Sequence, residues 1–274
     1  GESAQFVVLM QDSLALELGL NIHGTALSSH IHSDGYKKSI SGPGAGNYLT
    51  VGKIFNEIKK HFSSAALNKT FFHAHGTSTP QNRESESHII SSISKAFGIE
   101  ALPVTAIKSY LGHSLAAAGG DQMISTLGSW KNNLIPGITS TPKLAENVYK
   151  ENVEFLLQNK KFEEDEFDFA VLNAKGFGGN NGTSLVASPA KTMKMLKSKY
   201  SKKDVQAYLI KKSKTDDQLS ASKQEILQGD LKSRYIFGEG VIDGMNDFKI
   251  ETDKITNKFS KEIFDLNSTL PYKD

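Results

Sequence analysis

Residues Phe71 to Gly119 hold two apolar, strand-like runs, and each ends in a histidine-bearing turn. The first run closes on His75-Gly76-Thr77-Ser78-Thr79. The second closes on Lys108-Ser109-Tyr110-Leu111-Gly112-His113. A short strand that is apolar throughout belongs in a sheet covered on both faces. Such strands deliver polar groups into glycine-rich turns at their ends, where α/β proteins build active sites. A third turn of this kind, Lys175-Gly176-Phe177-Gly178-Gly179-Asn180-Asn181, lies downstream. The three turns are expected to meet in space.

Patterning along the chain supports this frame. Gln5–Met10 reads as a strand, Ser13–Leu18 as a short helix capped by Asp12 and closed by Gly19, and Ile22–Ser33 as a second strand. Ser41–Gly46 is a Pro/Gly loop, and Tyr48–Phe62 an amphipathic helix. The strand Phe71–His75 leads to a helix over Gln81–Phe97, then to a strand over Pro103–Ile107 and a small-residue helix over Gly112–Trp130. A strand-like run at Leu134–Thr139 and a loop over Thr141–Glu154 follow. Phe167–Asn173 and Thr183–Ala187 flank the third turn as an antiparallel pair. This order argues for an α/β domain with helices on both faces of a sheet.

At residue 190 the character changes. Residues 191–274 are polar and lysine-rich, with scattered apolar clusters such as Tyr235-Ile236-Phe237. They are expected to form an extension of short helices on a main domain spanning residues 1–190. The lysines read as a solvated surface or as a docking rim for an acidic partner.

Whole-chain properties exclude several classes. The 274 residues carry 32 basic and 30 acidic side chains, so charge gives no reason to expect nucleic acid. There is no cysteine, which removes disulfide scaffolds and Cys-ligated metal centres and fits a cytoplasmic setting. No apolar run approaches the roughly 20 residues that span a bilayer. The chain opens on a strand-like run without an initiator methionine, as a fragment would.

His73 and His75 share one face of a strand, because strand side chains alternate. With His113 they offer three imidazoles for a metal, and hence a metal hydrolase as one reading. No carboxylate stands at ligand spacing, and both His75 and His113 sit in glycine-flanked turns that suit hydrogen-bond donors to a substrate. The hydroxyls of Thr77 and Thr79 bind a substrate or cap the following helix.

HGTSTP, then K-x-x-x-GH-x-x-AAAG, then GFGGNN, in this order and at these gaps, resembles the C-terminal half of the β-ketoacyl synthases. The likeness covers roughly residues 1–190. The extension and the QNR after HGTSTP are similar to the C-terminally extended, chain-initiating bacterial branch. The resemblance implies the thiolase-like fold, layered αβαβα, of which this chain supplies mainly the second half. It implies decarboxylative Claisen condensation of an acyl group with malonyl-acyl carrier protein in fatty-acid or polyketide synthesis.

By position, His75 and His113 would donate to the malonyl thioester oxygen and Lys108 would orient them. Glu86 would support this network from behind. Thr77 and Thr79 would bind the phosphopantetheine amides. Phe177 would gate the acyl pocket and lend its N–H to an oxyanion hole, with Gly178 beside substrate. No metal or other resident cofactor is implied, since substrates ride on acyl carrier protein or CoA. The implied partners are an acidic carrier protein, an N-terminal half bearing the family's cysteine, and a second copy in a homodimer. Neither nucleic acid nor a membrane span enters.

Three departures stand out. The family nucleophile is a cysteine, and this chain has none, so acyl transfer needs the other half. Arg83 replaces the usual Asp, which suggests Glu84 or Glu86 as the new partner of Lys108. Lys175 replaces a Phe at the start of the gate loop. A non-catalytic, chain-length-factor-like subunit is the alternative that the missing cysteine raises.

Overall fold

In the computed structural model, which describes residues 1–35, 44–229, 243 and 246–267, the chain opens with eleven residues in neither helix nor strand. Helix α1 (Asp12–Leu18) follows and stops where Gly19 turns left-handed, at φ +65°. Then come β1 (Thr25–Ser33), α2 (Ala45–His61), α3 (Ser64–Leu67), β2 (Thr70–His73) and α4 (Pro80–Ala96). β3 (Leu102–Thr105), α5 (Lys108–Leu111), α6 (Ala118–Asn132), β4 (Leu134–Ile135), β5 (Val153–Phe155) and β6 (Lys160–Lys161) continue the chain. The hairpin β7 (Phe169–Gly176) and β8 (Asn180–Ala187) precedes α7 (Pro189–Lys199) and α8 (Lys202–Gln228). β9 (Phe248–Ile250), β10 (Lys254–Asn257) and β11 (Ile263–Asp265) end it. Residues 41–43 of the expected Pro/Gly loop and the Tyr235–Phe237 cluster lie outside the described residues.

Residues 1–217 form one compact unit and 218–274 another. The first is built on a six-stranded sheet in the order β1-β8-β7-β2-β3-β5. β2 runs parallel to both β3 and β7, and β3 parallel to β5. β8 is antiparallel to both β7 and β1. Adjacent side chains on a strand face opposite ways. Phe72 therefore packs with Ile54 and Ile58 of α2 and Ile89 and Ile90 of α4. Its neighbour Phe71 packs on the other face with Trp130 of α6. The result is a three-layer α–β–α arrangement with a core on each face of the sheet. A smaller cluster of Leu16, Leu196 and Tyr208 joins α1, α7 and α8, and the Tyr208 hydroxyl donates to Leu20 O at 3.0 Å.

Four expectations change. Gln5–Met10 joins no sheet, and Phe6, Val8 and Leu9 are 95, 83 and 75% exposed. A strand needs a ladder partner, and the described residues give it none. Gly112–Trp130 is not one helix: Gly112 (φ +71°) and Leu115 (φ +57°) leave the helical region, and α6 begins only at Ala118. The loop over Thr141–Glu154 ends in β5, the parallel edge strand beyond β3. Finally, the lysine-rich extension carries the 27-residue helix α8 after the 11-residue α7, where only short helices were expected. In the second unit, a three-stranded antiparallel sheet runs in the order β11-β10-β9. Among the described residues no helix is long and apolar enough to cross a membrane.

Phe72 is fully buried at the centre of the larger core. Phe72→Ala should cost about 3–5 kcal/mol of unfolding free energy. Urea titration checks this, and a loss within error of zero would place Phe72 outside the core.

Candidate active site

Because β2, β3 and β7 run the same way, the segments that follow them leave one end of the sheet. His75 follows β2 and is buried. Lys108 and His113 follow β3. The rings of His75 and His113 meet edge to face with centroids 5.4 Å apart. Phe177 sits at the tip of the β7–β8 hairpin and is 76% exposed, so it is not part of the core. Gly178 and Gly179 close that tip at φ +80°, a conformation that glycine adopts without strain.

Backbone bonds hold the His75 turn from several sides. The fully buried Glu86 carboxylate, on α4, accepts the N–H groups of His75 at 2.7 Å and Gly76 at 2.9 Å. It also accepts from the Asn173 amide at 2.8 Å and the Asn82 amide at 2.9 Å. The Lys108 ammonium donates to His75 O at 2.5 Å. The Gln122 amide, on α6, donates to Ala74 O at 2.9 Å and Asn173 O at 3.0 Å. Gly76 adopts φ +59°, and a Cβ there would lie 2.6 Å from the Ala106 Cβ. Only glycine therefore lets the turn lie against the strand beside it.

Electrostatics keep both histidines neutral. Burial pushes His75 down to about 4, and Lys108, His113 and Lys175 add to this against the opposing pull of Glu86. His113 is lowered by burial and by Lys108. Its Nδ1 accepts the Leu115 N–H at 3.1 Å, so in the neutral ring Nε2 carries the proton. Leu115 itself holds φ +57°, outside the helical region. Burial raises Glu86, but the Gly76 N–H, Lys175 and Asn173 outweigh it and hold the carboxyl below its usual range. Burial lowers Lys108 against the pull of Glu86 and Asp121.

The remaining candidates divide. Thr77 and Thr79 hydroxyls lie 3.3 Å apart, and Thr79 occupies the N-cap position of α4 without a side-chain cap bond. Helix capping does not use them. Ser78 between them holds φ +52°. Lys108 bonds the His75 carbonyl, not Glu84 or Glu86, because the oxygens of Glu86 are taken by N–H donors. Lys175 lies on β7 with 6% exposure, and its ammonium reaches Ser85 on α4 at 3.2 Å. It braces two elements, β7 and α4. His73 is buried against Phe71, and neither ring nitrogen has a hydrogen-bond partner among the described residues. Among the described residues no group of three metal-ligating side chains converges, so the three-histidine reading fails. Asn173, Gln122, Asn82 and Asp121 went unmarked in the sequence. The signal was there: Asn173 ends a run, Phe-Ala-Val-Leu, whose burial leaves an amide no partner but another polar group.

Comparison with known proteins fits this geometry. Residues 23–141 match the β-ketoacyl synthase C-terminal domain. The chain is 44% identical over 244 residues to the β-ketoacyl-[acyl-carrier-protein] synthase FabY of Pseudomonas aeruginosa, covering 88% of this chain and 38% of that enzyme. The crystal structure of P. aeruginosa FabY superposes with a TM-score of 0.84 at 38% identity, over 96% of this chain and 41% of that one.

This chain carries a β-ketoacyl synthase C-terminal domain.

Its α–β–α layers belong to the thiolase-like fold of the ketosynthases. A 3-oxoacyl-[acyl-carrier-protein] synthase 2 of Vibrio harveyi is 27% identical over 187 residues, 67% of this chain and 42% of that enzyme. The FabY match is longer than residues 1–190, so it takes in part of the extension as well as the synthase core. The chain spans about two fifths of the length of these relatives.

The two buried imidazoles make stability depend on pH. In the unfolded chain they bind protons below about 6.5, whereas in the fold His75 resists to about 4 and His73 to about 3. The unfolded state therefore holds more protons in this window, and stability should fall as pH drops from about 6.5 towards 4. Urea titrations across the window check this, and a flat profile would contradict neutral burial of these rings.

Proposed function

We propose that this chain supplies the malonyl-activating half of a β-ketoacyl-acyl carrier protein synthase acting in fatty-acid synthesis. The observation that carries this is the pair of neutral, touching imidazoles of His75 and His113 at one end of the sheet. On this reading the malonyl thioester oxygen lies between them. The bond to the carboxylate breaks, carbon dioxide leaves, and the electron pair passes into an enolate. Two N–H donors in a dry pocket stabilise that oxyanion, each worth roughly 3 kcal/mol by analogy with other oxyanion holes. The enolate then attacks the acyl thioester, and the thiolate leaves. Lys108 holds the backbone of His75, and Glu86 holds the turn from the other side. Thr77 and Thr79 offer hydroxyls to the phosphopantetheine amides, and Gly178 lets the Phe177 hairpin approach the acyl group.

The nucleophilic cysteine comes, on this proposal, from an N-terminal half, without which the chain is inactive. The exposed run Phe6–Met10 is the surface that this half would cover, by giving the strand its missing ladder. An acidic acyl carrier protein, a homodimer and a cytoplasmic setting complete the reading. The chemistry draws on no resident metal or cofactor, because hydrogen bonds stabilise the enolate. A decarboxylation assay with malonyl-acyl carrier protein on the full-length protein tests it. His113→Ala should lower the rate by about 10²–10³, and an unchanged rate would remove the histidine from this role.

A further inference from the structure

Behind the histidine turn, inside the first unit, lies a cavity of about 430 Å³. Its volume is in the range of small-molecule sites. Ile90, Val104, Val148 and Phe155 give it an apolar floor, while Arg83, Lys108 and Lys143 line it with positive charge. Among the described residues Glu86 is the one carboxylate in its wall, and both of its oxygens already accept N–H groups. Arg83 Nε is buried and finds no acceptor among the described residues. No carboxylate pairs with Arg83 or Lys143 among the described residues.

A guanidinium is a rigid fork of donors that cannot lose its charge. Leaving one of its N–H groups buried without an acceptor is costly, and a carboxylate meets the fork with two parallel bonds. Among the described residues Ser109 Oγ in the same wall is also unpartnered, so a bound anion would find a hydroxyl as well as cationic donors. The floor asks for something apolar attached to that anion. We propose that the cavity binds a small carboxylate bearing a short alkyl chain, with its head on Arg83 and Lys143 and its tail on the floor. The arginine that departs from the family pattern is then a ligand-binding residue. Ser109, Gly112 and His113 line the same cavity, so the ligand places negative charge beside Lys108, whose ammonium holds His75 O. Occupancy thereby bears on the position of the histidine turn. The binding itself does not rest on the condensation reading.

Isothermal titration of octanoate, and separately of inorganic phosphate, into the full-length protein containing this chain tests the proposal. Octanoate should bind at one site and more tightly than phosphate. Arg83→Ala should weaken it by roughly ten-fold or more, and Lys143→Ala, at an exposed position that folding does not need, by a smaller factor. Circular dichroism shows whether Arg83→Ala folds; if it does not, Lys143→Ala decides. No octanoate binding at millimolar concentration would overturn the proposal. So would equal affinity in the wild type and the folded variants, or phosphate binding as tightly as octanoate.

Discussion

The site is organised around one buried carboxylate. Glu86 is a charge taken almost wholly out of water, which costs several kcal/mol unless every oxygen is bonded. Here the N–H groups of His75 and Gly76 and the amides of Asn82 and Asn173 satisfy it. Those donors come from three places: the turn after β2, helix α4 and strand β7. Neutralising Glu86 therefore fixes the relative positions of the histidine turn and the strand that leads to the Phe177 hairpin. Asn173 extends the network, since its side-chain Oδ1 accepts from the Asn47 amide at 2.7 Å and the Thr183 hydroxyl at 3.0 Å. A carboxylate bonded this completely is held rigidly, because moving any of its donors strands an oxygen.

On that frame the imidazoles are held neutral and oriented. Burial disfavours their charged forms, and Lys108 adds repulsion. The same ammonium bonds the His75 carbonyl, so one side chain fixes the turn and sets its electrostatics. The Leu115 N–H, bonded to Nδ1, fixes which nitrogen of His113 holds the proton. A protonated ring would also donate, but it would carry its charge at all times; a neutral donor responds to charge that develops during reaction. Lys175 supplies part of the positive field around Glu86 and braces β7 against α4.

Much of this was legible in the sequence, for physical reasons. Phe71–His75 and Pro103–Ile107 are apolar on both faces, which only a covered sheet explains, and both lie centrally. The two glycine-containing turns required backbone freedom, and Gly76 uses it. Gly19 closes α1 as the helix stop signal implied. What failed needed partners or long-range context. Gln5–Met10 has a strand's pattern but no strand beside it. The break before α6 depends on Leu115 adopting a conformation that its residue type disfavours. The partner of Lys108 is a backbone carbonyl, which no side-chain pattern reveals. Asn173 and Gln122 look ordinary until burial shows which carbonyls and amides they must satisfy. Arg83 was visible as an oddity, but only the cavity beside it gives the guanidinium something to do.

The central claim is that His75 and His113 are neutral at working pH and that His113 carries its proton on Nε2. Long-range ¹H–¹⁵N correlation spectra of the ¹⁵N-histidine-labelled full-length protein read this directly. The account predicts neutral rings for both residues at about pH 7, with the Nε2–H tautomer at His113. An imidazolium pattern at either residue, or the Nδ1–H tautomer at His113, would contradict it.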